Sequence, residues 1–577
     1  MQTQNGNLIR ILGEKKENLY ETLLGNRNIH EDNLEAFFHP KIEDLHDPFL
    51  MPDMQIAVER ILVAREQKER MVIFGDYDVD GVSSTAILVK FLTEIGCLVS
   101  YRLPHRVHDG YGLKDYFFDE LKEKNVSLVI TVDCGTRDIG PIKHAKSIGI
   151  DVIVTDHHAV PDNIPEEVIA IVNPKRKDSK YPFQNLAGAG VAFKLLHGIL
   201  IGMKSNNISE TLTRYIDFAS LGTVADCMPI IGENRVITTL GLTQMKQSES
   251  VGLRNFLEGR DQIEGNADII GFQIGPRINA AGRMDTPLTA LRWLLAGEGR
   301  TDEFFAELET LNDTRKGTTE SHFQKALEHI DTSKPVIFYD ARDLEHGIIG
   351  LVAGRLTEIY NKPTIVIKNG HDHPLTSRKG DTISVTENTK SITLSSEETS
   401  VASCRSPEWC NLIELLDTCK DFFVRYGGHR QAAGFTIETS QIPAFREAIW
   451  REIARVHDIS DLPKKELTVE CILAPSDIHV DTLADIDHFR PFGIGNPKPL
   501  FILENVTISN TKSLGQDEKH LSITIAESPS LRFLMWNVGD KKAHLAPGNI
   551  VSFVIEIDRN EWKGNISVQS IIKDIII

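Results

Sequence analysis

Between residues 70 and 156 the chain alternates two patterns of apolar and polar positions. Short apolar runs occur at Met71-Val72-Ile73-Phe74, CLVSYRL (97–103), SLVITV (127–132) and DVIVT (151–155). Between them, at 82–95, 114–123 and 138–148, apolar residues recur every three or four positions. Short apolar runs bounded by turn residues predict buried strands, and the longer period predicts amphipathic helices. The series therefore reads as βαβ units and an α/β fold, with a mainly parallel sheet covered by helices on both faces. The alternation returns at KPVIFYD (334–340), a helical stretch at 347–360 and PTIVIK (363–368), which predicts a second, smaller α/β unit closing near residue 455.

The flanking patterns differ. Residues 1–69 read as short helices ending in MQIAVERILVAREQKER, and residues 185–250 read as mostly helical. The charged stretch 284–330 has a long helical period and predicts a connector helix, whereas the polar insert at roughly 370–400 reads as a loop. From 464 onward, alternating runs such as ELTVECIL, HLSITIAE and NIVSFVIEIDR predict about five strands, which suits a small barrel of OB type, although other small β folds fit almost as well. The expected division is 1–69, 70–283, 284–330, 331–458 and 459–577. A length of 577 residues agrees with several domains of ~100–200 residues each.

Composition changes this picture little. Apolar content of 41% and charged content of 25% are those of a globular protein, and no apolar run reaches the ~18 residues a membrane helix needs. The start MQTQNGNLIRILGEKKE lacks the layout of a secretory signal, so the expected location is cytoplasmic. Seven cysteines without CxxC spacing read as reduced thiols. The net charge of −19 argues against a phosphate-binding footprint, yet part of that acidity can be metal ligands, and a local groove can be basic on an acidic protein.

Those ligands are found where the strands end. Met71–Phe74 runs into GDYDVDG, with Asp76, Asp78 and Asp80; SLVITV runs into Asp133; DVIVT runs into Asp156-His157-His158. Asp226 of TVADC follows another apolar stretch. In parallel sheets, ligands bind at the carboxyl ends of the strands, so these residues are expected to converge. A single strand-end Asp often only caps the next helix, but recurrence at three successive strand ends points to metal. An oxygen-rich set with one or two imidazoles suits Mn²⁺ or Mg²⁺ better than zinc, and five or more ligands suggest two ions. Two cations ~4 Å apart activate water and stabilise charge at phosphorus, which implies phosphoester hydrolysis. Weaker signals are GPRINAAGRMD, which reads as a loop presenting Arg277, Asn279 and Arg283, then YGGHRQAAGF with His429 and Arg430, and LPHRVHDGYG with Arg106 and His108. Aromatic residues form no stripe for base stacking.

GDYDVDG, VDCG, TDHH and the Asp226 region resemble, in order, the four motifs of the DHH phosphoesterases. Nearly the whole chain resembles the RecJ family within them, through FFHPKIEDLHDPFLMPDMQIAVERI, PRINAAGRMD, HGIIGLVAGRL, GGHRQAAGF and FGIGNPKPLF. The resemblance implies a 5′ to 3′ exonuclease on single-stranded DNA that releases nucleotide monophosphates in repair and recombination. It implies two Mn²⁺ or Mg²⁺ ions on Asp78, Asp80, Asp133, His157 and Asp226, with Asp133 bridging and Asp76 a ligand or an orienting group. His158 is then expected at the scissile phosphate, and Arg106, Arg277, Asn279, Arg283, Ser403, Arg405 and His429 at the phosphates of the strand. A terminal OB-like domain guiding the strand, with single-strand-binding protein and a helicase as partners and no membrane, belongs to the same implication. One departure is the long insert before the Ser-x-Arg segment: VASCRSPEW supplies Ser403 and Arg405, with LTSRKGD (375–381) as the competing match. The alternatives are a DHH phosphodiesterase on short oligoribonucleotides or cyclic dinucleotides, and a DNA-binding scaffold without catalysis.

Overall fold

The computed structural model describes residues 1–576 apart from 107, 261, 262, 264, 342, 369–398, 516–518, 539–543, 563 and 564. LTSRKGD and nearly all of the insert lie outside the described residues. The chain opens with a strand, β1 (Leu8–Ile11), before helical segments that end with Met54–Glu66. β2 (Arg70–Phe74), β3 (Leu98–Arg102), β4 (Val126–Val132), β5 (Asp151–Thr155) and β6 (Ala170–Val172) form the first sheet, in the order β3-β2-β4-β5-β6. Every neighbouring pair is parallel. β2, β4 and β5 are buried almost end to end instead of alternating, because helices cover both faces. From β2 the chain goes to β3 on one side and then crosses to β4 on the other. The carboxyl ends of β2 and β4 therefore flank the switch point of the sheet, where open α/β sheets bind ligands.

Three largely buried helices, Val79–Glu94, Gly188–Gly202 and Ile208–Ala225, pack behind that point. GPRINAAGRMD differs from expectation: Gly275–Met284 is a helix entered through a π-helical turn, Ile269–Ile274. Its proline sits in the first turn, where the missing N–H costs nothing. Gly282 is required because a Cβ there would stand 2.5 Å from the Tyr77 carbonyl in the carboxylate loop. The expected connector resolves into two helices, Leu288–Leu295 and Thr301–His329.

The second sheet contains β7 (Ile337–Asp340), β8 (Thr364–Lys368), β9 (Thr399–Arg405), β10 (Phe423–Gly428) and β11 (Ala432–Glu438), ordered β10-β11-β9-β8-β7. Only β7 and β8 run parallel. The last unit comprises β12 (Glu466–Val469), β13 (Cys471–Leu473), β14 (Leu500–Leu514), β15 (His520–Ile525), β16 (Phe533–Met535), β17 (Ile550–Trp562) and β18 (Asn565–Ile576). Pairing of β14 with β17 closes β14-β15-β16-β18-β17 into a five-strand barrel.

The first residues are not a separate helical unit. β1 pairs in parallel with β12, and Leu19 and Leu23 join the barrel core. Met54, Val58 and Ile61 instead pack into the core of the first α/β unit.

Candidate metal centre

The carboxylates arise from the turn that β2 is forced to make. Asp78 caps the helix Val79–Glu94 by accepting from the Gly81 N–H at 3.1 Å, and the first turn of that helix carries Asp80 inward. Asp80 is buried, and its two oxygens accept from the Gly188 and Ala189 N–H groups at 2.6 and 2.8 Å, the start of another helix. Asp133, directly after β4, is a non-glycine residue held at φ 61°, a strained conformation that concentrates at functional sites. Asp226 caps the C-terminus of Ile208–Ala225, where the helix dipole disfavours a negative charge.

These groups converge. His157 Nε2 lies 3.1 Å from Asp133, 3.6 Å from Asp226 and 3.7 Å from Asp80. Two further sets, Asp76-Asp78-Asp133 and Asp133-His157-His158, offer ligand atoms within 4.8 Å of one another, so Asp133 is common to two adjacent sets. Oδ1 of Asp76, Oδ1 of Asp133 and Oδ2 of Asp226 are buried with no hydrogen-bond partner. Burial, reinforced by the neighbouring Asp78 carboxylate, pushes Asp80 up to about 7. Burial and Asp80 push Asp226 up to about 9, and Asp76 and Asp133 are raised for the same kinds of reason. Three buried carboxylates and the half-buried Asp226, all with raised pKa, and three orphaned oxygens form a donor set that divalent cations would satisfy. The oxygen-rich set with one imidazole fits Mn²⁺ or Mg²⁺.

Asp156 organises the histidines. It accepts from the N–H groups of Thr136, His157 and His158 and from His158 Nδ1, at 2.8–3.1 Å. These bonds outweigh burial and hold its pKa below the ordinary carboxylate range. Burial lowers His157 to about 3, fitting a neutral ligand. Burial acts the same way on His158, but the Asp156 hydrogen bond wins and its pKa is raised. His429, on the turn between β10 and β11, lies over His158 with ring centroids 6.3 Å apart, so the second α/β unit closes over the first. Partial burial and the His158 charge hold the His429 pKa down.

Beside the carboxylates stands a group of guanidiniums. Arg283 Nη1 donates to the Gly347 carbonyl at 2.9 Å, and burial with repulsion from Arg106, Arg405 and Arg315 brings its pKa down to about 9. Arg106 stacks on the Tyr77 ring at 4.6 Å, and Arg405 donates to Ser403 Oγ at 3.2 Å. Cations gathered this closely repel one another and present charge-assisted donors that an anion would satisfy.

Two expected phosphate ligands already hold partners within the protein, although Asn279 lies against the same cavity as Arg283 and Arg315. Arg277 is bound to Glu309 and the Gln273 carbonyl and packs on Phe256, while the Asn279 amide oxygen accepts from the Val79 N–H at 3.3 Å. Both changes follow from the helix that replaces the expected loop. Sequence reasoning counted Asp156 among the strand-end ligand types and not as the residue that orients the histidines, and it missed Arg315, on a charged helix without a motif, and Tyr111, whose hydroxyl donates to the Asp133 carbonyl at 3.1 Å. Tyr111 alone carried a signal, the glycines that flank it.

Fold and cluster together define an α/β metal-dependent phosphoesterase. Residues 70–223 match the DHH family, N-terminal domain; residues 333–455 match the DHHA1 domain; residues 469–574 match the RecJ OB domain. The chain is 34% identical over 558 residues to the single-stranded-DNA-specific exonuclease RecJ of Bacillus subtilis, covering 94% of this chain and 66% of that protein. It is 30% identical to the enzyme of the same name from Salmonella typhimurium, over 90% of this chain and 89% of that one. The crystal structure of RecJ in complex with Mn²⁺ from Thermus thermophilus superposes with a TM-score of 0.79 at 26% identity, over 99% of this chain and 80% of that one. A second, Mg²⁺ complex from that organism superposes with a TM-score of 0.73 at 26% identity, over 99% of this chain and 78% of that one. The chain thus belongs to the RecJ family of single-stranded-DNA-specific exonucleases, and it spans about two thirds of the length of the Bacillus subtilis relative. Among the described residues no helix is long and apolar enough to cross a membrane.

Proposed function

We propose that this chain degrades single-stranded DNA from its 5′ end, releasing nucleotide monophosphates, in the cytoplasm and in the service of repair and recombination. The observation that carries the reading is the juxtaposition of orphaned buried carboxylate oxygens with a cluster of guanidiniums. Asp80, His157 and Asp226 would hold one divalent ion and Asp76, Asp78 and Asp133 the other, with Asp133 shared. When bound, Mn²⁺ or Mg²⁺ supplies Lewis acidity and a nucleophilic water at neutral pH.

The chain's own residues do the rest. Arg106, Arg283, Arg405 and Ser403 hold and orient strand phosphates, with Arg315 beside them. Asp156 fixes the His158 ring through Nδ1, which leaves Nε2 to stabilise the phosphate or hand a proton to the departing oxygen. The raised pKa of His158 supports that donor role. His429 covers the site from the second unit. The barrel would guide the strand by charge and stacking. Single-strand-binding protein and a helicase are the proposed partners.

The test is a time course with Mn²⁺ and an oligonucleotide labelled at either end. Early release of the 5′ label as mononucleotide, progressive shortening of the 3′-labelled strand, and loss of both in Asp133→Ala support the reading. Release from the 3′ end, or an inert DNA strand alongside cleaved short RNA, overturns it.

A further inference from the structure

A cleft of about 340 Å³ lies beside the metal centre, with walls from five separate parts of the chain. Ala225 and Cys227, the neighbours of Asp226, form one side; Arg283 and Arg315 of the guanidinium cluster form the inner end. The other walls are mainly apolar, with Phe272, Leu351, Phe492 and Ile494, and the exposed Asp268 and the Asn279 amide are their polar members. Phe272 has 77% of its surface exposed, the most of any large apolar side chain among the described residues, and Ile494 has 55%. Phe272 stands on the π-helical turn Ile269–Ile274, a distortion that occurs often at functional sites.

We infer that this cleft takes the base of one nucleotide of the strand, with the Phe272 ring as its stacking platform. The inference rests on the exonuclease reading and adds a binding residue that the sequence motifs do not contain. Three observations favour a nucleotide over a protein side chain. The volume is at the small end for ligand sites, enough for a single unit and not for a peptide segment. The inner end is cationic and continuous with the phosphate receptor, so a phosphate bound there directs its own sugar and base outward into the apolar part. The apolar walls offer a π-face to any base, which is how strand-binding proteins hold nucleotides without reading sequence. Phe492 and Ile494 precede the barrel in sequence, so the cleft also joins the metal centre to the unit proposed to guide the strand.

The experiment compares wild type, Phe272→Ala and Phe272→Trp on single strands in which one nucleotide at a time, over the first six from the 5′ end, is made abasic. Because Phe272 is exposed, its replacement leaves the packed core untouched. The expected result is a KM raised about ten- to a hundredfold by Phe272→Ala with kcat little changed, and restored by Phe272→Trp. At one position an abasic site should impose the same penalty on wild type and none on Phe272→Ala. An active wild type whose Phe272→Ala variant matches it, or loses equally on intact and abasic strands at every position, overturns the inference alone. A wild type inert on every strand overturns the exonuclease reading and this inference with it.

Discussion

At the scale of single residues the site is a balance of charge that only cations complete. Asp80 at about 7 and Asp226 at about 9 in the folded chain stand far above the ~4 of an unfolded carboxylate. Between those limits the folded state binds more protons than the unfolded state, so the stability these groups contribute is full below about pH 4 and is lost as pH rises through about 7 and 9. The metal-stripped protein should therefore show a Tm that falls from about pH 5 to about pH 9, with an increment from added Mn²⁺ that grows over the same range. A Tm that is flat or rising in the chelated protein would count against this account of the carboxylates. Asp156 supports the site without being a ligand, through four accepted hydrogen bonds. Asp156→Asn should lower Mn²⁺ affinity or activity about 10- to 100-fold, the usual cost of losing an outer-shell partner, with an unchanged circular dichroism spectrum. Unaltered Mn²⁺ titration and activity would show that the histidines orient themselves.

At the scale of elements, the spacing between helices matters as much as the ligands. Gly222, in Ile208–Ala225, faces Asp80 and Ala189, and a Cβ there would collide with the Asp80 carboxylate and the Ala189 methyl. Neither can yield, since Asp80 is fixed by two N–H groups at the start of the neighbouring helix. Gly222→Ala should push that carboxylate out of register and cut kcat by about a hundredfold, as ~1 Å misplacements do, while the fold survives. Full activity in this variant would mean that the helices separate freely. How much was legible in the sequence follows the same logic. β2, β4 and β5 announce themselves because a strand buried on both faces must be continuously apolar, and their acids follow because ligands can only gather at the open end of such a sheet. β1 stayed hidden because its four residues gain their stability from β12, more than four hundred positions away, and not from any local pattern. Gly275–Met284 looked like a loop because its glycines signal flexibility locally, whereas one of them, Gly282, serves close approach to Tyr77. Arg315 reads as one charge among many on a solvated helix, and only the folded chain brings it beside Arg283.

At the scale of the whole molecule, one buried guanidinium ties three distant segments together. Arg235, on the helix Gly232–Gln244, donates to the Phe37 carbonyl at 2.8 Å and the Arg490 carbonyl at 2.7 Å, approaches those of Phe489 and Pro491, and stacks 3.5 Å above the Phe37 ring. Among the described residues it pairs with no carboxylate; burial, aided by the nearby Arg27 charge, brings its pKa down to about 9, and carbonyl dipoles hold the charge. A neighbouring contact works in the same direction, the Ile230 N–H donating to the Ile494 carbonyl at 2.6 Å, while Arg27, from the segment packed on the barrel, holds 489–497 on the barrel side through Asn496 and Pro497. The barrel is therefore locked to the first α/β unit through residues 489–497, the segment that also lines the apolar cleft. Removing the guanidinium leaves several buried carbonyls unpaired at about 1–3 kcal/mol each, so Arg235→Ala should loosen the barrel before it disturbs the metal centre. The expected outcome is early proteolytic cleavage near 489–497, weakened hydrolysis of long strands, and nearly normal hydrolysis of very short oligonucleotides that need no guidance from the barrel. Arg235→Lys should rescue only in part, because an ammonium cannot reproduce the planar fork that reaches several carbonyls at once. Equal loss on long and short substrates would instead mean that Arg235 supports the metal centre itself, and that guidance of the strand does not depend on how the barrel is docked.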